Sequence, residues 1–377
     1  MDGIELFSGC GGLALGLSRA GILHSLLIER NKAAVETVRH NQVRSVDHVC
    51  SWNIEQSDVS EIEWNDIGLS VDVVSGGPPC QPFSIGGKAR GKRDERDMWP
   101  YAIKAVIGLR PAAFLFENVK GLTRPAFAEY LMRIVMSLEH AVELTENELT
   151  PRLPEKIYTV CVLNLNAADF GAAQKRHRVL IAGVRCDMVA EFSAITPTHS
   201  RERLLWDQWC SGEYWRRHGL SVPGDQGIDR ADLAIVRRLR EKGVAPATRP
   251  WRTVRDALVG LGEPDGRNNH VFQPGARTYP GHTGSPLDQP AKALKAGAHG
   301  VPGGENMMIR DDGTVRYFTV REAARLQGFP DDYEFPGSWS ETMRQIGNAV
   351  PVELAEAAGR WLTAHMVEDR APSLAAA

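Results

Sequence analysis

The sequence predicts an α/β protein with a doubly wound, mostly parallel sheet and a smaller, irregular second domain. Through the first half of the chain, short apolar runs of strand length alternate with helix-like segments, which is typical of a parallel sheet that binds its ligands at the carboxyl ends of the strands. After about residue 197, Gly, Pro, Arg and Trp become more frequent and turn dipeptides such as Pro223-Gly224 appear. The length of 377 residues suits one large domain and one smaller one.

The elements follow in chain order. Strands are predicted at 3–7, 25–28, 71–74, 112–116 and 179–184, and helices at 13–20, 31–41, 319–326 and 352–365. The last helix is expected to return to the first domain. The chain is therefore divided into a first domain (1–196), a second domain (197–315), a joining segment (316–344) and a C-terminal segment (345–377).

Composition excludes several classes of protein. No apolar run approaches the roughly 18 residues of a membrane span, and the N-terminus has no signal-peptide pattern, so a cytoplasmic protein is expected. The six cysteines form no C-x-x-C pair, which argues against a zinc site and for free thiols. No metal is expected, and the protein is expected to be a monomer.

A glycine-rich loop, Phe7-Ser8-Gly9-Cys10-Gly11-Gly12, separates the first strand from the first helix. Glycines there let the backbone turn sharply and approach a ligand closely. The spacing differs from the dinucleotide pattern G-x-G-x-x-G, which argues against NAD. Glu29 ends the next strand, 20 residues after Gly9, where a carboxylate can accept hydrogen bonds from ribose hydroxyls. Asp58, at the end of a third strand, is a candidate acceptor for an adenine amino group.

Cys80 is the most distinctive cysteine, because it lies in Gly76-Gly77-Pro78-Pro79-Cys80-Gln81-Pro82. Three prolines and two glycines specify a rigid, irregular backbone that a core cysteine would not need. The following segment, 85–99, carries Gly86, Gly87 and Gly91 with five Lys and Arg side chains. It is interpreted as a mobile basic loop that closes over a phosphate backbone, with a solvated charge run as the alternative.

The second domain is locally basic although the net charge of the chain is −3. Residues 198–277 hold 14 Lys and Arg against 10 Asp and Glu, and 13 of the 14 are Arg. Such a surface is compatible with DNA binding. Trp206, Trp209, Trp215 and Trp251 are interpreted as a small core in preference to base-stacking groups.

Six motifs in order resemble the motif set of the cytosine-5 DNA methyltransferases, and the resemblance runs from Ile4 to about Ala358. They are Phe7-Ser8-Gly9-x-Gly11-Gly12, Pro79-Cys80-Gln81, Glu117-Asn118-Val119, Gln174-x-Arg176-x-Arg178, Arg321-Glu322-Ala323-Ala324-Arg325-Leu326-Gln327-Gly328-Phe329-Pro330 and Gln345-x-Gly347-Asn348-Ala349-Val350-Pro351. The resemblance implies a Rossmann-like methyltransferase fold that binds S-adenosylmethionine in 1–196 and recognises its double-stranded DNA target through 197–315. A bacterial restriction-modification setting with a cognate endonuclease is implied, and an orphan enzyme is equally compatible.

The resemblance also implies site residues. Phe7 stacks on the cofactor adenine, Glu29 holds the ribose and Asp58 the adenine. The remaining cofactor residues are Ser8, Gly9, Gly11, Gly12, Pro79, Asn348 and Ala349. The DNA-contacting residues are Gln81, Ser84, Lys88, Arg90, Arg96 and Gln174. Cys80 is the nucleophile, and Glu117 and Arg178 hold the base with Arg176 nearby.

The implied chemistry explains these residue types. Carbon 5 of cytosine is a poor nucleophile until a thiolate adds at carbon 6, and cysteine can both add and leave. Glu117 can protonate N3 and Arg178 can neutralise the O2 side of the ring. The target base must first be flipped out of the duplex. Two alternatives remain open: a tRNA cytosine-5 methyltransferase of the same fold, and a catalytically inactive DNA-binding protein.

Overall fold

The computed structural model of the chain describes residues 1–79, 97–144, 153–189, 191–281, 283–296 and 304–367. Numbered along the chain, its strands are β1 (Asp2–Leu6), β2 (Leu23–Glu29), β3 (Ile54–Gln56), β4 (Val73–Gly76), β5 (Ala113–Val119), β6 (Tyr158–Asn166), β7 (Gln174–Lys175), β8 (His177–Arg185), β9 (His199–Ser200), β10 (Arg249–Pro250), β11 (Ser285–Pro286), β12 (Ala291–Lys292), β13 (Met307–Ile309) and β14 (Val315–Tyr317). Its helices are α1 (Gly12–Arg19), α2 (Lys32–Val43), α3 (Trp99–Leu109), α4 (Ala128–His140), α5 (Arg201–Trp209), α6 (Glu213–Arg217), α7 (Leu233–Lys242), α8 (Val254–Leu258), α9 (Val320–Leu326), α10 (Trp339–Asn348) and α11 (Val352–Val367). None of these helices is long and apolar enough to cross a membrane.

The main sheet has seven strands in the order β3-β2-β1-β4-β5-β8-β6. The five strands from β3 to β5 are parallel, and β8 runs antiparallel to β5. The order along the chain reverses between β1 and β4, which is where doubly wound sheets form a crevice for a ligand. The α/β fold class predicted from the sequence is therefore confirmed.

Alternating side chains of the strands bury against two helical layers. In β5, Ala113 and Leu115 pack in one core with residues of α1 and α11, whereas Phe114 and Phe116 pack in a second core with residues of α3 and α4. All four side chains are fully buried. A central strand that is covered on both faces consists of consecutive apolar residues, and this pattern is why β5 could be predicted from the sequence.

The last helix, α11, packs against α1 in a core that both helices share. A Cβ added to Gly16 of α1 would lie 2.5 Å from the carbonyl oxygen of Val352. Such contacts require glycine, because a side chain there would push the helices apart.

The described chain forms two compact units. The first comprises 1–165, 177–195 and 329–377, and the second comprises 166–176 and 196–328. The second unit starts its main segment one residue before the boundary predicted at 197, but it also includes 166–176 and extends past 315. The functional division into 1–196, 197–315, 316–344 and 345–377 stays a prediction.

The second unit has its own small aromatic core. Trp215 is buried between Tyr214 and Trp209, with ring centroids at 4.9 and 5.6 Å. Trp206 and Trp251 pack at the edges of the same region, and the Trp251 indole N–H donates to Asp169 at 2.9 Å. Trp215 is thus a core residue, and Trp206, Trp209 and Trp251 are half-buried side chains that pack against the cores of this unit.

Candidate active site

The candidate site lies at the carboxyl edge of the parallel strands in the first unit. Because β2, β1, β4 and β5 are neighbours and parallel, the segments that follow them share one edge of the sheet. Glu29 is the last residue of β2, and the glycine-rich loop follows β1. Gly77 follows β4 directly, and Glu117 lies near the end of β5.

Glu29 anchors the glycine-rich loop. Its Oε2 accepts a hydrogen bond from the Gly9 backbone N–H at 2.8 Å, and its Oε1 accepts one from Asn31 N–H at 2.6 Å. Gly9 and Gly11 have φ angles of 55° and 81°, in the left-handed region that favours glycine. The Glu29 carboxylate therefore holds the loop in place, and its remaining acceptor positions are available to a ligand.

The loop has room and polar groups for an adenosyl ligand. A Cβ added to Gly9 would meet no atom of the described residues within 4 Å, so the backbone there has space beside it. The Ser8 hydroxyl is buried and has no hydrogen-bond partner in the described part of the chain. Glu29 is half-buried, and since a carboxylate offers about four acceptor positions, two remain for ribose hydroxyls. These features fit the S-adenosylmethionine that the motifs imply.

Asp58 caps a short 3-10 turn two residues beyond β3. Its Oδ1 accepts hydrogen bonds from the Ser60 N–H at 3.0 Å and the Ser60 hydroxyl at 2.8 Å, while Arg30 contacts Oδ2 at 3.0 Å. The backbone N–H of Ser60 is the main cause that lowers the pKa of Asp58, and Arg30 adds to it. Asp58 is thus an ionised acceptor, and its contact with adenine stays a prediction.

The segment after α10 forms one wall of the loop. A Cβ on Gly12 would lie 2.6 Å from the Val350 carbonyl oxygen and 3.1 Å from the Ala349 Cβ. Ala349 is therefore close to the loop, as the cofactor assignment requires, while Asn348 is exposed beside it. The sequence did not anticipate Tyr333, whose hydroxyl donates to the Cys10 carbonyl at 2.7 Å, or Trp52, whose ring packs on Gly11.

Glu117 and Arg178 meet across strands β5 and β8. The Arg178 Nε contacts Glu117 Oε1 in an ion pair with both side chains largely buried. The other oxygen, Oε2, lies 3.4 Å from the position of a Cβ on Gly77. The carboxyl group therefore reaches from Arg178 to the backbone that leads to Pro79 and Cys80.

Asn118 ties the same backbone to β5. Its side-chain N–H donates to the Pro78 carbonyl at 3.0 Å, and its Oδ1 accepts from the Val119 N–H at 2.9 Å. Asn118 is almost fully buried. The sequence placed it in a motif without a role, because a bond spanning 40 residues depends on tertiary structure.

The other predicted residues lie elsewhere. Cys80, Gln81, Ser84, Lys88, Arg90 and Arg96 are outside the described residues. Gln174 and Arg176 are buried in the second unit, where Gln174 donates to the Leu326 carbonyl and Arg176 to the Leu294 carbonyl. Their roles at the DNA and the base stay predictions. Phe7 is half-buried with a φ of 56°, and Pro79 is exposed.

Comparison with known proteins agrees with this geometry. A family model described as C-5 cytosine-specific DNA methylase matches residues 1–207 and 269–363. The Type II methyltransferase M.PspPI of Psychrobacter is 32% identical over 95% of this chain and 77% of its own length. The Type II methyltransferase M.NgoMIV of Neisseria gonorrhoeae is 29% identical over 95% of this chain and 96% of its own length.

Solved structures share the fold. A putative DNA modification methyltransferase encoded in an Escherichia coli prophage superposes with a TM-score of 0.60 and 22% identity, covering 97% of this chain and 99% of that one. The Schizosaccharomyces pombe Dnmt2 methyltransferase gives a TM-score of 0.59 and 18% identity over 97% and 98%. With about four fifths of the chain matched by one family model and its glycine-rich loop, Glu29, Glu117 and Arg178 at one edge of the sheet, the protein belongs to the C-5 cytosine-specific DNA methylase family.

Proposed function

We propose that this DNA (cytosine-5-)-methyltransferase flips a target cytosine out of duplex DNA and attacks carbon 6 of the base with Cys80. The observation that carries the proposal is the position of Glu117. One oxygen of its carboxyl group contacts Arg178 and the other faces Gly77, three residues before Cys80. A base attacked by that cysteine would therefore meet both a carboxyl group, which can carry a proton, and a cation.

Each residue has a defined task in this scheme. Bond formation between the Cys80 sulfur and carbon 6 drives electrons toward N3 and O2 of the ring. Glu117 gives a proton to N3, Arg178 stabilises the negative charge at O2, and carbon 5 becomes nucleophilic. After methylation a base removes the carbon 5 proton, the double bond between carbons 5 and 6 re-forms as the Cys80 thiolate departs, and N3 returns its proton to Glu117.

The cofactor assigned to the glycine-rich loop is S-adenosylmethionine, which supplies an electrophilic methyl group on sulfur and leaves as S-adenosylhomocysteine. In this proposal Glu29 binds the ribose of the cofactor, and the loop residues Ser8, Gly9, Gly11 and Gly12 line its binding site. Asn348 and Ala349 form one wall of that site. The adenosyl group is contacted by Phe7, Asp58 and Pro79. No metal ion takes part in this scheme.

Among the described cysteines, Cys10 is the one in the glycine-rich loop, and it is a poor nucleophile. Burial raises the pKa of its thiol to about 12, and the thiol faces the Gln345 carbonyl at 3.6 Å. A thiol in that state is almost wholly protonated at neutral pH. Cys10 therefore does not compete with Cys80 for the role.

DNA containing 5-fluorocytosine tests the proposal, because fluorine at carbon 5 cannot be removed as a proton and traps the covalent adduct. The protein with the cofactor should give a complex that survives denaturation. Cys80→Ala should abolish it, and Cys50→Ala, a change at an exposed free cysteine, should leave it intact. An adduct that persists in Cys80→Ala would refute the nucleophile.

Transfer of labelled methyl groups separates the alternatives. Incorporation into duplex DNA is expected, and bisulfite sequencing of a methylated plasmid library would then give the target site. Methylation of tRNA alone would favour the tRNA enzyme, and DNA binding without any transfer would favour an inactive protein. We also propose that the enzyme acts in the bacterial cytoplasm in a restriction-modification setting, a proposal supported by the names of M.PspPI and M.NgoMIV as bacterial Type II methyltransferases.

A further inference from the structure

Many arginines of the second unit lie beside carboxylates. Eight of the 13 arginines in residues 198–277 lie in ion pairs, namely Arg201, Arg203, Arg216, Arg217, Arg238, Arg240, Arg255 and Arg267. Arg255 contacts two carboxylates, Asp288 at 2.7 Å and Asp311 at 2.5 Å. The number of arginines in this region is therefore a poor measure of its positive surface charge. Lysines and arginines that contact no carboxylate are better candidates for binding phosphate.

Lys175 is such a cation. It lies between Gln174 and Arg176, which are 0% and 2% exposed, whereas Lys175 itself is exposed. This alternation is that of a strand with one buried and one open face. Within the described part of the chain, Lys175 takes part in no ion pair.

Lys292 lies beside Lys175 on the neighbouring strand. The two-residue strands β7 and β12 are parallel, and their register pairs Lys292 with Lys175 and Ala291 with Gln174. Ala291 is buried like Gln174, so the two lysines occupy the same open face, roughly 5 Å apart at the backbone. The Lys292 ammonium donates to the Thr283 hydroxyl at 2.9 Å and contacts no carboxylate among the described residues.

Charges of both signs act on Lys175, and none of the described carboxylates forms an ion pair with it. Arg201 has the largest charge–charge effect on Lys175, and it is itself bound to Asp232 at 2.5 Å. Partial burial lowers the pKa of Lys175, and the positive charges of Arg201 and Lys292 lower it further, against the opposing effect of Asp232 and Asp229. Two like charges kept side by side create a place where an anion would be stabilised.

We propose that Lys175 and Lys292 together bind a backbone phosphate of the substrate DNA. Lysine ammonium groups act on phosphate as point charges that need no fixed geometry, and phosphate contacts fix the register of a protein on the duplex without reading sequence. Lys175 stands three residues before Arg178 in the chain. The pair would hold the strand while the base-holding residues act. This inference rests on duplex DNA being the substrate.

The salt dependence of DNA binding tests the pair. Each phosphate contact contributes about 0.9 to the slope of log K against log salt on duplex DNA. The binding of a random-sequence 30-base-pair duplex would be measured by fluorescence anisotropy between 50 and 200 mM KCl, for the wild type, Lys175→Gln, Lys292→Gln and the double variant. The double variant, which loses the contact with one phosphate, should lose about 0.9 from the slope, and each single variant should weaken binding by about 3-fold or more at 50 mM.

Lys295→Gln is the matched control, because Lys295 is an exposed lysine of the same unit that is paired with Glu305 at 2.6 Å. Its salt slope should equal that of the wild type, and the thermal midpoints of all variants should agree. If the wild type binds the duplex and the double variant keeps its slope, the phosphate site is wrong and the proposed function stands. If the wild type binds tRNA but no DNA duplex, both are wrong.

Discussion

Glu117 and Arg178 form an ion pair across β5 and β8, two antiparallel strands in which Val119 stands opposite Arg178 and Leu180 opposite Glu117. The two charged residues are thus diagonal neighbours on rigid strands and not loop residues. Their relative position is set by the hydrogen-bond ladder of the sheet. A site built on strands keeps its geometry better than one built on loops.

Arg178→Lys keeps the positive charge but loses the planar fork of donors that fits a carboxylate or a ring oxygen. We expect the single-turnover rate of methyl transfer to fall by about 100-fold or more, in line with removal of one charge-stabilising donor. The matched control is Arg185→Lys, at an exposed arginine of the same strand that pairs with Asp187. Equal rates for the two variants would contradict the role of Arg178.

Glu29→Gln should weaken cofactor binding. The amide nitrogen cannot accept, so one of the bonds from Gly9 N–H and Asn31 N–H is lost together with acceptor capacity for the ribose. We expect a loss of about 10-fold or more in the affinity for S-adenosylhomocysteine by calorimetry, equivalent to about 1.4 kcal/mol. Glu36→Gln, at an exposed residue of α2 paired with Lys32, should bind like the wild type.

Asn118→Asp separates the two hydrogen bonds of this residue. An aspartate can still accept from the Val119 N–H but cannot donate to the Pro78 carbonyl, so the support of the segment leading to Cys80 is lost. We expect a lower kcat, by about 10-fold, with KM for the cofactor unchanged, because the effect is confined to the nucleophile segment. A change in KM with kcat preserved would argue against this positioning role.

Glu5→Gln should change how stability depends on pH. Burial raises the pKa of Glu5 above 4.5, while the side chains of His24 and Ser75 oppose the shift. Between pH 4.5 and the higher folded pKa, the folded protein therefore holds a proton that the unfolded chain has released, and its free energy of unfolding decreases as pH rises.

The glutamine side chain of the Glu5→Gln variant does not titrate in this pH range. The stability of Glu5→Gln relative to the wild type should therefore increase with pH across that interval and stay constant above it. Urea unfolding at several pH values from 4.5 to 8 measures the difference. A difference that does not vary with pH would show that Glu5 keeps an ordinary protonation state.

The central strands and their flanking helices could be predicted because their residues are apolar on both faces or at helical spacing, as in β5 and α1. Strand β6 was not predicted, since most of its residues are half-buried and the pattern is weak. The motifs predicted Glu29, Glu117 and Arg178 but not the bond from Asn118 to Pro78. The ion pairs of the arginines could not be predicted from the sequence either, because partners such as Arg255 and Asp311 are 56 residues apart in the chain.

The close packing of α11 on α1 bears on how the protein is made. Residues 352–367 supply part of the apolar core that covers one face of the central strands, and Gly359 packs directly on Ala20 and Leu17. During synthesis the first 165 residues therefore leave the ribosome with that face of their sheet still open. The cofactor loop gains its wall of Ala349 and Val350 only when synthesis has passed them. Until residues 349–367 have been synthesised, the glycine-rich loop lacks this wall and the sheet lacks this cover, so the first unit cannot complete its fold.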